Sequence, residues 1–265
     1  SGAGLMRFAI IGAGAIGAFL GAKLAVAGED VSLIARGPHL AAMRANGVRV
    51  SSPDGDFEAH PVATDDSEAI GPVDYLFLTV KAHSLTQIAP MLGPMLGPDT
   101  AVVSAQNGIP WWYFHRHGGP LDGTHLETLD PGGIINDAIA PERVIGCVVY
   151  PSTVITEPGV VEHIEGNRFA IGEPDGSRSE RCKLLSESLI KAGLRCPIRP
   201  RLRHDLWVKL LGNVAFNPIS ALTRATLVEI VTHRDAAALA RAMMEEADAV
   251  ARAVGVEIPI SIDRR

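Results

Sequence analysis

Short apolar runs alternate with helix-length segments through the first third of the chain. Residues 7–11 are apolar after Arg7 and have the length of a strand, residues 15–27 read as a helix, and residues 31–35 as a second strand. Residues 75–80 and 101–104 repeat the short apolar pattern between turn-forming residues. Strands in this rhythm, apolar along their whole length, predict a parallel, doubly wound sheet covered by helices. A more polar pair of strands between residues 47 and 60 flanks Pro53-Asp54-Gly55, a turn sequence. Residues 144–150 and 159–171 read as antiparallel strands that continue the sheet. From about Arg201 the character changes: residues 204–216 are nearly all apolar, and residues 236–254 form an Ala-rich helix with acids and arginines on one side.

The loop before the second strand carries the first chemistry. Gly12-Ala13-Gly14-Ala15-Ile16-Gly17 follows one predicted strand directly and opens a helix, the setting in which a G-x-G-x-x-G segment marks a dinucleotide site. Gly12 permits the tight turn, Gly14 lets the backbone approach a pyrophosphate, and Gly17 allows close helix–strand packing. The amides of Ala15 and Ile16 at the helix start are free to receive negative charge. A site for NAD places an acid about 20 residues further on. Here the second strand runs Ser32-Leu33-Ile34-Ala35-Arg36, with no acid after it, and Arg36 is placed to pair with a 2′-phosphate. The expectation is NADPH, held by a Rossmann-like doubly wound domain over residues 6–199, with an all-helical domain over residues 200–265.

Three further segments suggest where catalysis occurs. Lys81 ends one predicted strand, and Gln106-Asn107-Gly108 follows another; carboxyl ends of parallel strands border the ligand crevice. In Trp207-Val208-Lys209-Leu210-Leu211-Gly212-Asn213-Val214-Ala215-Phe216-Asn217-Pro218, the spacing of four stacks Lys209, Asn213 and Asn217 on one helix face. The apolar neighbours predict a buried helix with a polar stripe. An ammonium and two amides there need partners, either a polar substrate or a structural network. Pro218 is expected to kink or end the helix at Asn217.

Together the glycine segment, Lys81, Gln-Asn-Gly and the Lys-x3-Asn-x3-Asn-Pro helix resemble the ketopantoate reductase (2-dehydropantoate 2-reductase) family, over most of residues 6–260. The resemblance implies a Rossmann-like domain, a helical second domain and NADPH-dependent reduction of ketopantoate to pantoate. It implies that Lys209 polarises and protonates the keto oxygen and that Asn213 and Asn217 bind substrate. It also implies that Asn107 and Lys81 line the junction of substrate and nicotinamide, and that Arg36 contacts the 2′-phosphate. Two alternatives stay open: a reductase of another branched 2-oxo acid, and a non-catalytic NADPH-binding sensor.

Two features depart from the family pattern. The sequence stops at Asp263-Arg264-Arg265, where the family continues into a Ser-Met-x-x-Asp segment and a substrate-contacting glutamate, so a truncated C-terminus is expected; Glu245 and Glu246 do not supply the missing motif. Residues 108–141, rich in Gly, Pro and His, hold Trp111-Trp112-Tyr113-Phe114, which reads as a lid, a subunit contact or a packed loop.

Composition narrows the partners. At 265 residues and 47% hydrophobic the chain can bury one large or two modest cores. A net charge of −6 without a basic run excludes general nucleic-acid binding. Cys147, Cys182 and Cys196 are too scattered for a disulfide framework or zinc site, which points to the cytoplasm. His163 and His204 lack metal-ligand spacing. Residues 8–22 are apolar, but their glycine spacing and Lys23 argue against a signal peptide or a membrane span. Ser1-Gly2-Ala3-Gly4-Leu5 reads as an added leader before Met6. Small apolar residues in the helical domain suggest a homodimer, and the expected partner is a small 2-oxo acid.

Overall fold

The computed structural model describes residues 4–264; Ser1, Gly2, Ala3 and Arg265, which enter the readings of the two chain ends, lie outside the described residues. The chain forms two compact units. One comprises the chain up to Gln106 with Pro110–Pro200, and the other Asn107–Ile109 with the chain from Arg201.

The first unit opens with β1 (Arg7–Ile11), α1 (Ala15–Val26), β2 (Asp30–Ile34) and α2 (Gly37–Asn46). Three short strands follow, β3 (Val48–Ser51), β4 (Phe57–Ala59) and β5 (Val62–Thr64), then β6 (Val73–Leu78), α3 (Leu85–Ile88) and β7 (Leu96–Ser104). After α4 (Ile134–Ala138) come β8 (Val144–Val149), β9 (Ser152–Glu157), β10 (Val160–Glu165), β11 (Phe169–Gly172) and α5 (Glu180–Lys191). The main sheet has the order β11-β8-β7-β6-β1-β2-β5. All its strands are parallel except β11, which runs antiparallel to β8 at one edge. The chain winds outward from β1 through β2 to β5, then returns to β6 on the other side of β1. That reversal leaves a crevice at the carboxyl ends of β1 and β6.

A second sheet, ordered β4-β3-β10-β9, lies on the far side of α1. Its presence explains why α1 is apolar all round: Ala18, Phe19, Leu20, Ala22 and Leu24 are buried against one sheet or the other. Phe19 stacks on the His163 ring of β10 at 4.5 Å. Each large side chain so buried contributes about 1.5–3 kcal/mol.

The structure revises the reading of residues 144–171. β8 joins the main sheet in parallel with β7, and β10 leaves it for the second sheet, pairing parallel with β3 and antiparallel with β9. Exposed Glu162 and Glu165 on β10 suit a sheet with one wet face, whereas β11, buried throughout, suits the main sheet. The quartet Trp111 to Phe114 is buried, with Tyr113 and Phe114 packed edge to face at 5.0 Å and both against His117.

The second unit contains α6 (Leu202–Thr223), α7 (Leu227–Thr232) and α8 (Arg234–Ala253), with α8 packed on both others. The helix does not end at Asn217. α6 passes through Pro218 and stops at Arg224, which is left-handed at φ 60°. Pro218 removes one backbone donor, but Ile219, buried one residue on, holds the last turn in the core.

Candidate active site

The crevice at the carboxyl ends of β1 and β6 holds a cavity of about 600 Å³. Gly12, Gly14, Ala15, Ile16, Arg36 and Lys81 line it together. Gly12, the residue after β1, has φ +82°, and a side chain there would meet the backbone nitrogen of Val80 at 2.8 Å. Its amide and that of Ala13 donate to the Ile34 carbonyl at 3.1 and 2.9 Å, folding the turn over the end of β2. Gly14 is the N-cap of α1. A methyl at Gly14 would come no nearer than 3.8 Å to its closest neighbour, so the space beside this backbone is open.

No side chain caps α1 and its first turn carries no acid. Helix geometry leaves the first amides without intrahelical acceptors, so this end of the cavity attracts an anion. Gly17 lies beneath the cavity rather than on its wall: a methyl there would stand 2.6 Å from Thr79 Oγ1. Thr79 donates its hydroxyl to the carbonyls of Ile11 and Gly12, each at 2.9 Å, clamping the glycine turn to β6. Sequence reasoning passed over Thr79, although its place at the end of β6, two residues before Lys81, was a usable signal.

Arg36 is exposed at the N-cap of α2, where an NAD site would carry its acid. The carboxylate that does reach the wall, Asp65 just past β5, is paired with Arg44 at 2.8 Å, which holds it below the usual carboxylate range. Lys81 is exposed and begins the turn after β6; the Ser84 amide donates to its carbonyl at 2.9 Å. The far wall is apolar, with Ile88, Met91, Leu92 and Met95. The glycine cradle, the anion-attracting helix end and the cation in place of an acid fit a dinucleotide bearing a 2′-phosphate.

Asn107 belongs to the second unit and is exposed; Gln106 before it donates from Nε2 to the Val80 carbonyl at 3.1 Å. On α6, Lys209 and Asn213 are half-buried and Asn217 exposed, at successive intervals of four residues. Leu206, Leu211, Ala215 and Ile219 are buried. The stripe thus runs from half-buried at Lys209 and Asn213 to exposed at Asn217.

The cysteines, His163 and His204 do not line this cavity. All three cysteines are buried, and burial pushes Cys182 up to about 11 and Cys196 up to about 12. His163 donates from Nε2 to the Gly166 carbonyl at 2.5 Å and accepts from Ser52 at Nδ1, 2.9 Å. Burial lowers the pKa of His204. Among the described residues no His, Cys, Asp or Glu cluster could hold a metal, and no helix is long and apolar enough to cross a membrane.

The family model described as ketopantoate reductase PanE/ApbA matches residues 8–116, and that of its C-terminal part matches residues 201–265. A 2-dehydropantoate 2-reductase from Mesorhizobium japonicum is 53% identical over 98% of this chain and 80% of its own length. A crystal structure of a Ralstonia solanacearum MolK2 protein, assigned to the ketopantoate reductases, is 39% identical with a TM-score of 0.94, over 98% of this chain and 80% of that one. The 2-dehydropantoate 2-reductase of Geobacter metallireducens GS-15 is 28% identical with a TM-score of 0.83, over 97% and 79%. The match of both family models and the high identity over nearly the whole chain establish that this protein belongs to the ketopantoate reductase family of oxidoreductases.

Proposed function

We propose that the chain reduces a small 2-oxo acid at the expense of NADPH, with ketopantoate, giving pantoate, as the first substrate. The observation that carries the cofactor is the cavity at the end of β1 and β6, with open space beside Gly14 and Arg36 where an NAD site has its acid. The names borne by the relatives support the substrate. Residues 6–199 are assigned to the cofactor and residues 200–265 to the substrate. Three cysteines too scattered in the sequence for a disulfide framework favour a cytoplasmic setting.

Bound NADPH supplies the hydride. The amides of Ala15 and Ile16 receive the pyrophosphate, Arg36 pairs with the 2′-phosphate, and Lys81 adds positive charge at the same cavity. As the carbonyl carbon is reduced, negative charge builds on the keto oxygen. The Lys209 ammonium stabilises that charge and passes a proton to it, leaving a hydroxyl and a neutral amine that solvent reprotonates. Asn213 and Asn217, one and two turns further along the same face of α6, bind the substrate's polar groups, with Asn107.

The test follows NADPH absorbance with ketopantoate and then with other 2-oxo acids. Turnover with ketopantoate is the expected result. Turnover only with a different acid keeps the mechanism and moves the substrate. NADPH binding with no turnover on any acid overturns the enzyme reading in favour of a sensor.

A further inference from the structure

Tyr150 and Arg168 close the ladder between β8 and β11. The Tyr150 amide donates to the Arg168 carbonyl at 3.0 Å, one residue beyond the paired Val149 and Phe169. β8 is parallel to β7, β7 to β6 and β6 to β1, so this rung lies at the carboxyl end of the sheet, where β1 and β6 open to the cavity. The chain leaves β7 at the same end through Gln106, which is tied to the Val80 carbonyl after β6. Val149 and Phe169 are buried in the core shared with α1 and α5. Successive residues of a strand alternate between faces, so Tyr150 and Arg168 turn to the other face, where both are half-buried.

The Arg168 guanidinium carbon stands over the Tyr150 ring, 3.7 Å from its centre. A cation held over a ring in this way spends its face on the contact and keeps its edge of N–H donors for a planar acceptor. Among the described residues that guanidinium makes neither a hydrogen bond nor an ion pair. Arg195 stands beside Arg168 in parallel register, exposed and likewise without an ion pair among the described residues, so a second positive charge borders the first. The backbone under the pair is fixed. Gly166, at φ +78°, turns the chain into β11 so close to β8 that a methyl on it would stand 3.0 Å from the Tyr150 carbonyl oxygen, and its own carbonyl accepts from His163.

A half-buried guanidinium fixed on a ring, with its donor edge unfilled, suits a planar anion gripped by two parallel hydrogen bonds. Tyr150 and Arg168 are not among the residues that line the dinucleotide cavity, which has Arg36 and the α1 amides for its phosphates. A 2-oxo acid brings a carboxylate of its own, directly beside the keto group. The geometry points to Arg168 as the residue that binds the substrate carboxylate, with Tyr150 as the platform that holds the guanidinium in place. This rests on the 2-oxo acid reading and deepens it: Arg168 makes the enzyme select acids over neutral 2-oxo compounds.

Arg168→Ala, Arg168→Lys and Tyr150→Leu test it, with NADPH affinity from fluorescence titration, steady-state kinetics and thermal melting. The substrates are the 2-oxo acid that the wild type reduces, ketopantoate first, and its neutral ester, which for ketopantoate is the lactone. Arg168→Ala is expected to raise KM for the acid roughly 10- to 100-fold, the scale of a lost hydrogen bond to a charged group, with the NADPH Kd unchanged. Its kcat/KM for the ester stays at the wild-type value, so the preference for the acid collapses. Arg168→Lys keeps the charge without the fork and recovers part of the loss, and Tyr150→Leu raises KM by a smaller factor. A wild-type KM in Arg168→Ala overturns the proposal, as does an equal loss with acid and ester or a parallel loss of NADPH affinity. A melting point that falls in Arg168→Ala and returns in Arg168→Lys without any recovery of KM also overturns it, leaving a purely structural role. Wild-type protein that binds NADPH but reduces no 2-oxo acid defeats the reductase reading itself before any variant is compared.

Discussion

Alanine at Gly14 and alanine at Gly17 should have opposite effects, although both lie in one motif. At Gly17 the new methyl would stand 2.6 Å from Thr79 Oγ1, 2.9 Å from the Gly12 carbonyl oxygen and 3.1 Å from Ile10 Cγ2. The Gly12 oxygen is backbone and cannot swing aside, and Thr79 can move only by giving up its bond to the Ile11 and Gly12 carbonyls. Overpacking costs about 1–3 kcal/mol and the lost hydrogen bond about 1 kcal/mol. Alanine's better helix propensity returns about 1 kcal/mol, so Gly17→Ala is destabilised by about 1–3 kcal/mol. At Gly14 the nearest atom is 3.8 Å away and φ is −74°, a value alanine adopts freely. The fold loses less than about 1 kcal/mol, because alanine is only a poorer N-cap. On the proposed reading the methyl occupies the space through which a phosphate would reach the α1 amides. Losing one hydrogen bond to a charged group raises the NADPH Kd by roughly 10- to 100-fold. Urea denaturation and NADPH titration on both variants give the comparison. A Gly14→Ala protein that binds NADPH like wild type, or that unfolds as early as Gly17→Ala, would refute the reasoning.

Arg36→Ala should weaken NADPH far more than NADH, since a guanidinium fork pairs with the 2′-phosphate and has no such partner on NADH; parallel losses in titrations with the two cofactors would remove Arg36 from that role. Lys209→Ala should leave NADPH affinity near wild type while turnover falls by orders of magnitude, and an equal loss of both would make the lysine structural. Glu173, 6% exposed, accepts from Arg181 at 2.7 and 2.6 Å and from Ser179 at 2.5 Å. Glu173→Gln should lower stability by about 2–4 kcal/mol in urea melts, toward the lower figure because Arg181 is partly exposed. Burial pushes the Glu173 carboxyl up, but Arg181 and Ser179 outweigh it and hold the pKa below the ordinary value of 4.5. A depressed folded pKa gives stability that is present above 4.5 and lost as pH falls through the folded value, so acid melts of wild type should steepen below 4.5 more than those of Glu173→Gln, in which the other depressed carboxylates such as Asp65 remain.

What the sequence discloses and what it hides divide along the distance between interacting residues. The glycine turn was legible because its chemistry is local: Gly12, Gly14, Ala15 and Ile16 fall within one short segment, and Arg36 follows after one helix and one strand. The main sheet's β1, β2, β6 and β7 were legible because each is an uninterrupted apolar run that only a doubly covered parallel sheet accommodates. The assignment of β10 was not, because its pairing with β3 joins residues more than a hundred positions apart, and the same alternation suits an edge of either sheet. The course of α6 through Pro218 was hidden for a related reason: the local penalty is visible in the sequence, whereas the burial of Ile219 that offsets it is tertiary. His39 is the extreme case, a histidine whose partner Gly159 lies 120 residues on. A dinucleotide fold thus advertises the backbone that touches its ligand, because steric demands there restrict residue type. It conceals the side chains that steady that backbone, because many residue types can brace a turn, and only the folded chain shows which one does.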